Sequence, residues 1–187
     1  MKKIGFIVNP IAGMGGSVGL KGTDGDIYKK ALKLGAKPIV PQRVSQFLMN
    51  IKSKGRFVFL VAPGSMGVDL IKNEGFNYKV IGEIDKFTTA EDTKRIAHQM
   101  VQKGIDLLIF CGGDGTARDI YDIIGLVAPV IAIPSGVKMY SSVFAYNPRA
   151  AAQLLDTFIE ELVEMQEKEV LDIDEDLYRK NVLATEL

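Results

Sequence analysis

The sequence is short of cysteine, of histidine and of net charge, and each shortage removes a class of function. Its one cysteine, Cys111, has no partner for an internal disulfide, which agrees with a reducing compartment and an expected cytoplasmic location. Nothing pairs with its one histidine, His98, in the middle of a helical stretch, so neither a Ser-His-Asp triad nor a zinc centre is expected. Lys plus Arg and Asp plus Glu number 23 each, for a formal net charge of zero. No global field then draws in nucleic acid or an anionic membrane, and any phosphate site has to be local. No apolar run approaches the ~18 residues that span a bilayer. The N-terminus lacks the roughly 7–15-residue apolar stretch of a secretory signal. There is no G-x-x-x-x-G-K-[ST] loop. After Gly13-Met14-Gly15 the third glycine of a G-x-G-x-x-G fingerprint would fall on Val18, which argues against a dehydrogenase.

What remains is a chain of 187 residues, 47% hydrophobic and 25% charged, suited to one α/β domain with a real core. Apolar runs at 4–8, 57–61, 107–111 and 130–133 read as parallel strands buried on both faces, with a further strand at 79–81. Helical patterns lie between them. They cover 26–34, closed by Gly35; 45–54, stopped by Gly55; a short stretch to Glu74; 88–103, opened by a Thr88/Glu91 capping box and closed by Gly104; a stretch through Ile124; and 148–166, opened by Asn147 and Pro148. Two prolines make 37–41 at most an edge segment. The last helix carries Leu154, Leu155, Phe158, Ile159, Leu162 and Met165 as a core or interface stripe. Arg118 and Asp122 are spaced as a surface ion pair, and Cys111 reads as a small buried hydrophobe. Strands alternating with helices predict a three-layer α/β fold: a doubly wound, mostly parallel sheet with helices on both faces.

Glycines gather just after the strands, at 13–16, 64 and 67, 112–115, and 136. In a doubly wound sheet such loops share the carboxyl edge, so the four are expected to meet in one crevice. The central one is Gly112-Gly113-Asp114-Gly115-Thr116, between a strand and a helix. A turn opening a helix aims free N–H groups outward, and phosphate suits that place. A carboxylate there repels phosphate unless it binds the phosphate's Mg²⁺ or takes a proton from an attacking hydroxyl. That combination points to phosphoryl transfer. Asp114 is therefore the candidate base, and Gly112, Gly113, Gly115 and Thr116 the candidate phosphate cradle. The ordinary readings are an Asp that closes a turn and a Thr that caps a helix. Gly64 is a further candidate contact from the second strand's loop, and Lys138 a candidate phosphate charge.

The five residues 112–116 resemble the GGDGT signature of the NAD kinase and diacylglycerol kinase superfamily, related to 6-phosphofructokinases. The loop Asn9-Pro10-Ile11-Ala12-Gly13-Met14-Gly15-Gly16 is similar to that of one branch, the predicted ATP- or polyphosphate-dependent NAD kinases grouped with acetoin catabolism protein X. So are Gly19-Leu20-Lys21-Gly22-Thr23-Asp24 and Thr88-Thr89-Ala90-Glu91-Asp92-Thr93. The resemblance covers nearly the whole chain. It implies a Rossmann-like NAD kinase N-terminal domain, with ATP or polyphosphate as donor and NAD as acceptor. Mg²⁺ would be held through the donor's phosphates, with no metal site on the protein. It further implies that Asp114 accepts the proton of the ribose 2′-hydroxyl and that Asn9 contacts nucleotide. Ser135 and Gly136 stand where related lipid kinases have a Pro-x-Gly turn near the nucleotide.

Proteins of this kind cross into a second, β-rich domain, and their Asn-Glu pair for the NAD ribose has no counterpart here. The expected organisation is a nucleotide-binding domain over 1–166 and, over 167–187, the lead-in to a second domain absent from this chain. An exposed end that normally pairs into a sheet leads to the expectation of a homo-oligomer. Two other functions stay open: a non-catalytic nucleotide sensor, and a kinase of another small-molecule or lipid hydroxyl.

Overall fold

The first apolar run forms the middle of the sheet. β1 (Lys2–Val8) is flanked by β2 (Phe57–Val61) and β4 (Leu107–Gly112), with β3 (Tyr78–Val80) and β5 (Val130–Pro134) at the edges, giving the order β3-β2-β1-β4-β5. Every pairing is parallel; Ile4 lies opposite both Phe59 and Leu107, and Val8 opposite Cys111. This computed structural model describes residues 1–17, 26–85, 87–136, 139–173 and 185–186. β4 is buried along its whole length, as a strand covered on both faces must be, whereas β3 is exposed.

Alternate side chains feed two cores. On one face Phe6, Phe59, Ile109 and Ile133 pack with residues of α3 (Val40–Asn50) and α7 (Pro148–Ile159). On the other, Ile7, Leu108, Phe110 and Ala132 meet α5 (Ala90–Gln102) and α6 (Asp114–Ile124). The result is the three-layer α/β arrangement that the alternation of elements predicts. Gly5 keeps the second face close: a Cβ there would stand 2.7 Å from Leu108 Cδ1 and 3.2 Å from Met100 Sδ. The remaining elements are short. They are α1 (Met14–Ser17), α2 (Asp26–Lys33), a 3-10 turn at Gly64–Met66, α4 (Val68–Ile71), and an antiparallel pair, β6 (Asp172–Ile173) and β7 (Thr185–Glu186), separate from the main sheet.

Several local expectations are corrected. The segment 37–41 is no edge strand: α3 starts at Val40 with Pro41 in its first turn, where a missing N–H is harmless. That helix stops at Asn50 rather than 54, because the carboxylate of Asp156 on α7 takes the N–H groups of Lys52 and Ser53 at 2.9–3.1 Å. The capping box of α5 is Thr89 with Asp92, one residue later than expected; Asp92 accepts the Thr89 N–H at 2.9 Å and is itself held by Arg95 at 2.6 Å. Helix α7 ends at Ile159, not 166, and Leu162 and Met165 are exposed. Glu160, Glu161 and Glu164 put negative charge where the helix dipole is already negative, and Glu161 turns the chain out at φ 61°. Asp122 pairs with Lys94 of α5 at 2.8 Å, and Asp119 lies 3.5 Å from the same lysine. Lys138 and the stretch 19–24 lie outside the described residues.

Candidate active site

The chain reverses its direction of travel across the sheet between β1 and β4, and the crevice of an open parallel sheet opens at that point, beyond the strands' carboxyl ends. Asn9 leaves β1 there. Its N–H extends the ladder to the Cys111 carbonyl at 2.9 Å. Its side-chain oxygen accepts the Ile11 N–H at 3.2 Å, turning the loop, and its amide donates to Thr116 Oγ at 3.1 Å. One side chain thus ties the first loop to the GGDGT turn. From the other side Ser135, just past β5, donates its N–H to the Gly112 carbonyl at 3.0 Å. Gly13, at φ +78°, closes the ring: a Cβ on it would run into the Ser135 carbonyl oxygen.

Helix α6 begins in the middle of this ring. Gly113 is its N-cap and no side chain caps it. Among the described residues the N–H groups of Asp114, Gly115 and Thr116 find no acceptor, so the positive end of an 11-residue helix is open. Beside it Ser135 Oγ is fully buried and, among the described residues, has no hydrogen-bond partner. It lies 3.9 Å from where a Cβ of Gly113 would be. Gly115 has nothing within 4 Å of its Cβ position, so this side of the turn faces open space. Gly112 faces the opposite way: a Cβ there would lie 2.6 Å from Thr116. Thr116 is therefore not the helix cap; it is 5% exposed, and its hydroxyl receives Asn9.

Asp114 is held by a loop that sequence reasoning missed. Its Oδ1 accepts the Ser141 N–H at 2.8 Å and the Ser141 hydroxyl at 2.6 Å; the Tyr140 N–H is shared between Oδ1 at 3.2 Å and Oδ2 at 3.0 Å. The ordinary role of Asp as a closer of turns is thus real here. Among the described residues Oδ2 carries only the Tyr140 contact, which leaves lone-pair capacity on that oxygen. Ser141 Oγ in turn accepts the Leu171 N–H at 3.0 Å.

No group of three or more His, Cys, Asp or Glu is placed to hold a metal among the described residues. Burial pushes the Cys111 thiol up to about 12, with the Arg43 charge pulling the other way, so the thiol is neutral core packing as expected. An open cavity of about 340 Å³ is lined by Arg43, Gln46, Asn50, Asn147, Pro148 and Arg149, and none of the GGDGT residues reaches it. No helix among the described residues is long and apolar enough to cross a membrane.

Of the expected site residues, Asn9, Gly112, Gly113, Asp114, Thr116 and Ser135 are brought together, with Gly115 on their open side and Gly136 next along the chain. Gly64, at φ +52°, is on the same sheet edge after β2, but packs under Ile84 and makes no hydrogen bond to the GGDGT turn. The fold is a parallel α/β domain whose first, central and last strand loops meet at the carboxyl edge of the sheet. A family model described as the ATP-NAD kinase N-terminal domain matches residues 4–163, and the chain belongs to that family. Among curated proteins none matches the chain significantly.

Proposed function

We propose that this domain carries the phosphoryl-transfer half of an NAD kinase, moving a phosphoryl group from ATP or polyphosphate to the 2′-hydroxyl of NAD and so forming NADP. The single observation that supports it is the open, uncapped N-terminus of α6 beside a buried Ser135 hydroxyl that has no partner among the described residues, with Asp114 as the helix's first residue. An anion on this end would meet the free N–H groups of residues 114–116, with the buried Ser135 hydroxyl beside them. Mg²⁺ bound through the donor's phosphates would supply neutralisation of their charge. Asp114 Oδ2 takes the proton of the attacking hydroxyl. The hydroxyl oxygen bonds to phosphorus, and the P–O bond to the leaving group breaks with its electron pair on the leaving oxygen. Stabilising the charge on the transferring group is left to the backbone N–H groups. The branch grouped with acetoin catabolism protein X, the division at about residue 166, the homo-oligomer and the cytoplasmic location belong to this same reading.

A second reading, a nucleotide-binding domain without catalysis, draws on the donors already engaged by Asp114. The experiment measures MgATP binding by calorimetry and NADP formation by mass spectrometry, with ATP and with polyphosphate, for the wild type and Asp114→Asn. Product from the wild type, and binding without product from Asp114→Asn, are expected. Unchanged turnover in the variant refutes the base, and binding without product in the wild type selects the second reading.

A further inference from the structure

The hydroxyl of Ser141 has one proton and two acceptors within reach, Asp114 Oδ1 at 2.6 Å and the Leu171 carbonyl at 3.0 Å, while it accepts the Leu171 N–H at 3.0 Å. The shorter, charged contact is the stronger while Asp114 is ionised. Ser141 is 4% exposed, so these contacts lie within the protein. The neighbouring Ser142 N–H is taken by the Glu169 carbonyl at 3.1 Å, and Val170 packs against the core formed by α5 and α6. Residues 169–171 therefore run as a strap across the loop that grips Asp114, and lead directly into β6.

We propose that Ser141 is the positioning residue of Asp114, and that the strap at 169–171 sets the carboxylate through it. Oδ1 is fixed by the Ser141 N–H and hydroxyl, while among the described residues Oδ2 accepts only the Tyr140 N–H, and this less engaged oxygen is the one that receives the substrate proton. When that proton arrives on the carboxyl group, Asp114 becomes a weaker acceptor. The Ser141 proton then has the Leu171 carbonyl to turn to, with no bond made or broken in the protein. The segment leading into β6 thereby reports directly on the base. This rests on Asp114 being the base, as proposed above.

The experiment has two arms on the full chain. In amide hydrogen exchange, Ser141→Ala and Asp114→Ala are both compared with the wild type. Exchange at Leu171 is expected to rise about tenfold or more in each, since the strap loses its anchor. No rise at Leu171 in either variant overturns the proposal whatever the activity. In steady-state kinetics Ser141→Ala is expected to lower kcat about ten- to a hundredfold, the cost of a misdirected reacting group, with KM for MgATP nearly unchanged. Ser141→Thr, which keeps the hydroxyl, restores most of kcat. A Ser141→Ala enzyme at wild-type kcat, with Asp114→Asn inactive, overturns the positioning role alone. An active Asp114→Asn enzyme overturns the base, and this proposal with it. Equal loss of MgATP binding and kcat in Ser141→Ala, without rescue by Ser141→Thr, marks a merely structural residue and also overturns it.

Discussion

Gly115→Ala separates what the turn does for the fold from what it does for a ligand. Gly115 is the second residue of α6, its φ lies outside the positive region, and nothing stands within 4 Å of the position its Cβ would take. Alanine therefore fits without displacement. It replaces the residue with the most backbone freedom to lose inside a helix, a gain of about 0.5–1 kcal/mol. For a chain of this size that raises Tm by roughly 1–4 °C. The added methyl, however, stands on the open side of the helix end, where a phosphate would approach the N–H groups of residues 114–116. Losing one or two such contacts weakens MgATP binding about tenfold or more, since a hydrogen bond to a charged group is worth about 1.5–3 kcal/mol. Differential scanning calorimetry and isothermal titration on the same preparation check both halves. A higher Tm with unchanged affinity would refute the placement of the anion. A lower Tm would refute the open space. Gly112→Ala is the contrast: its Cβ would lie 2.6 Å from Thr116, so any loss of binding there is inseparable from damage to the turn.

Gly13→Ala and Gly55→Ala form a second pair. Both glycines have positive φ, +78° and +83°, but Gly55 has nothing within 4 Å, whereas Gly13 meets the Ser135 carbonyl and, at 2.9 Å, Ile39 Cδ1. Gly55→Ala should cost about 1–2 kcal/mol from backbone conformation alone, and Gly13→Ala about 1–3 kcal/mol more from the clash. Equal urea midpoints would refute the contact between the first and last loops. The third prediction concerns Asp92. Partial burial works to raise its pKa, but the Thr89 N–H, the Arg95 hydrogen bond, the Thr89 hydroxyl and the Arg95 charge together hold it below its ordinary value of 3.8. A carboxyl depressed on folding stabilises the protein above its unfolded pKa and loses that contribution as pH falls through the folded one. Wild-type stability should therefore drop further than that of Asp92→Asn between pH 5 and about 2, by urea denaturation at each pH; parallel curves would refute the linkage.

The sheet was legible because strands buried on both faces leave unbroken apolar runs, and 4–8, 57–61, 107–111 and 130–133 all became strands. The convergence of the first, GGDGT and Ser135 loops was legible because parallel strands put their ends on one edge; that the Gly64 loop shares the edge but packs under Ile84 instead of joining them was not. The boundaries of α3 and α7 were not, because they depend on partners distant in sequence or on charge at a helix end: Asp156 taking the N–H groups of residues 52 and 53, and a run of glutamates after Ile159. The grip on Asp114 left no trace for the same reason. Two of its three donors are backbone N–H groups, which every non-proline residue has, and the third is a serine in an irregular loop.

Asn9 and Asp114 show why the ordinary and the functional reading of a residue need not compete. Asn9 does form the turn that an Asn before a proline suggests, using its side-chain oxygen, and this leaves its amide to hold Thr116 under the GGDGT turn. Asp114 does close a loop, using mainly Oδ1, and this leaves Oδ2 the less engaged oxygen. A carboxylate free to rotate would spread its proton affinity over many directions and lose most of its value as a base. One held mainly through Oδ1, with a single N–H on Oδ2, keeps a fixed direction and still has lone-pair capacity on Oδ2. The hydrogen bonds that make Asp114 look structural are thus the ones a directed proton acceptor requires.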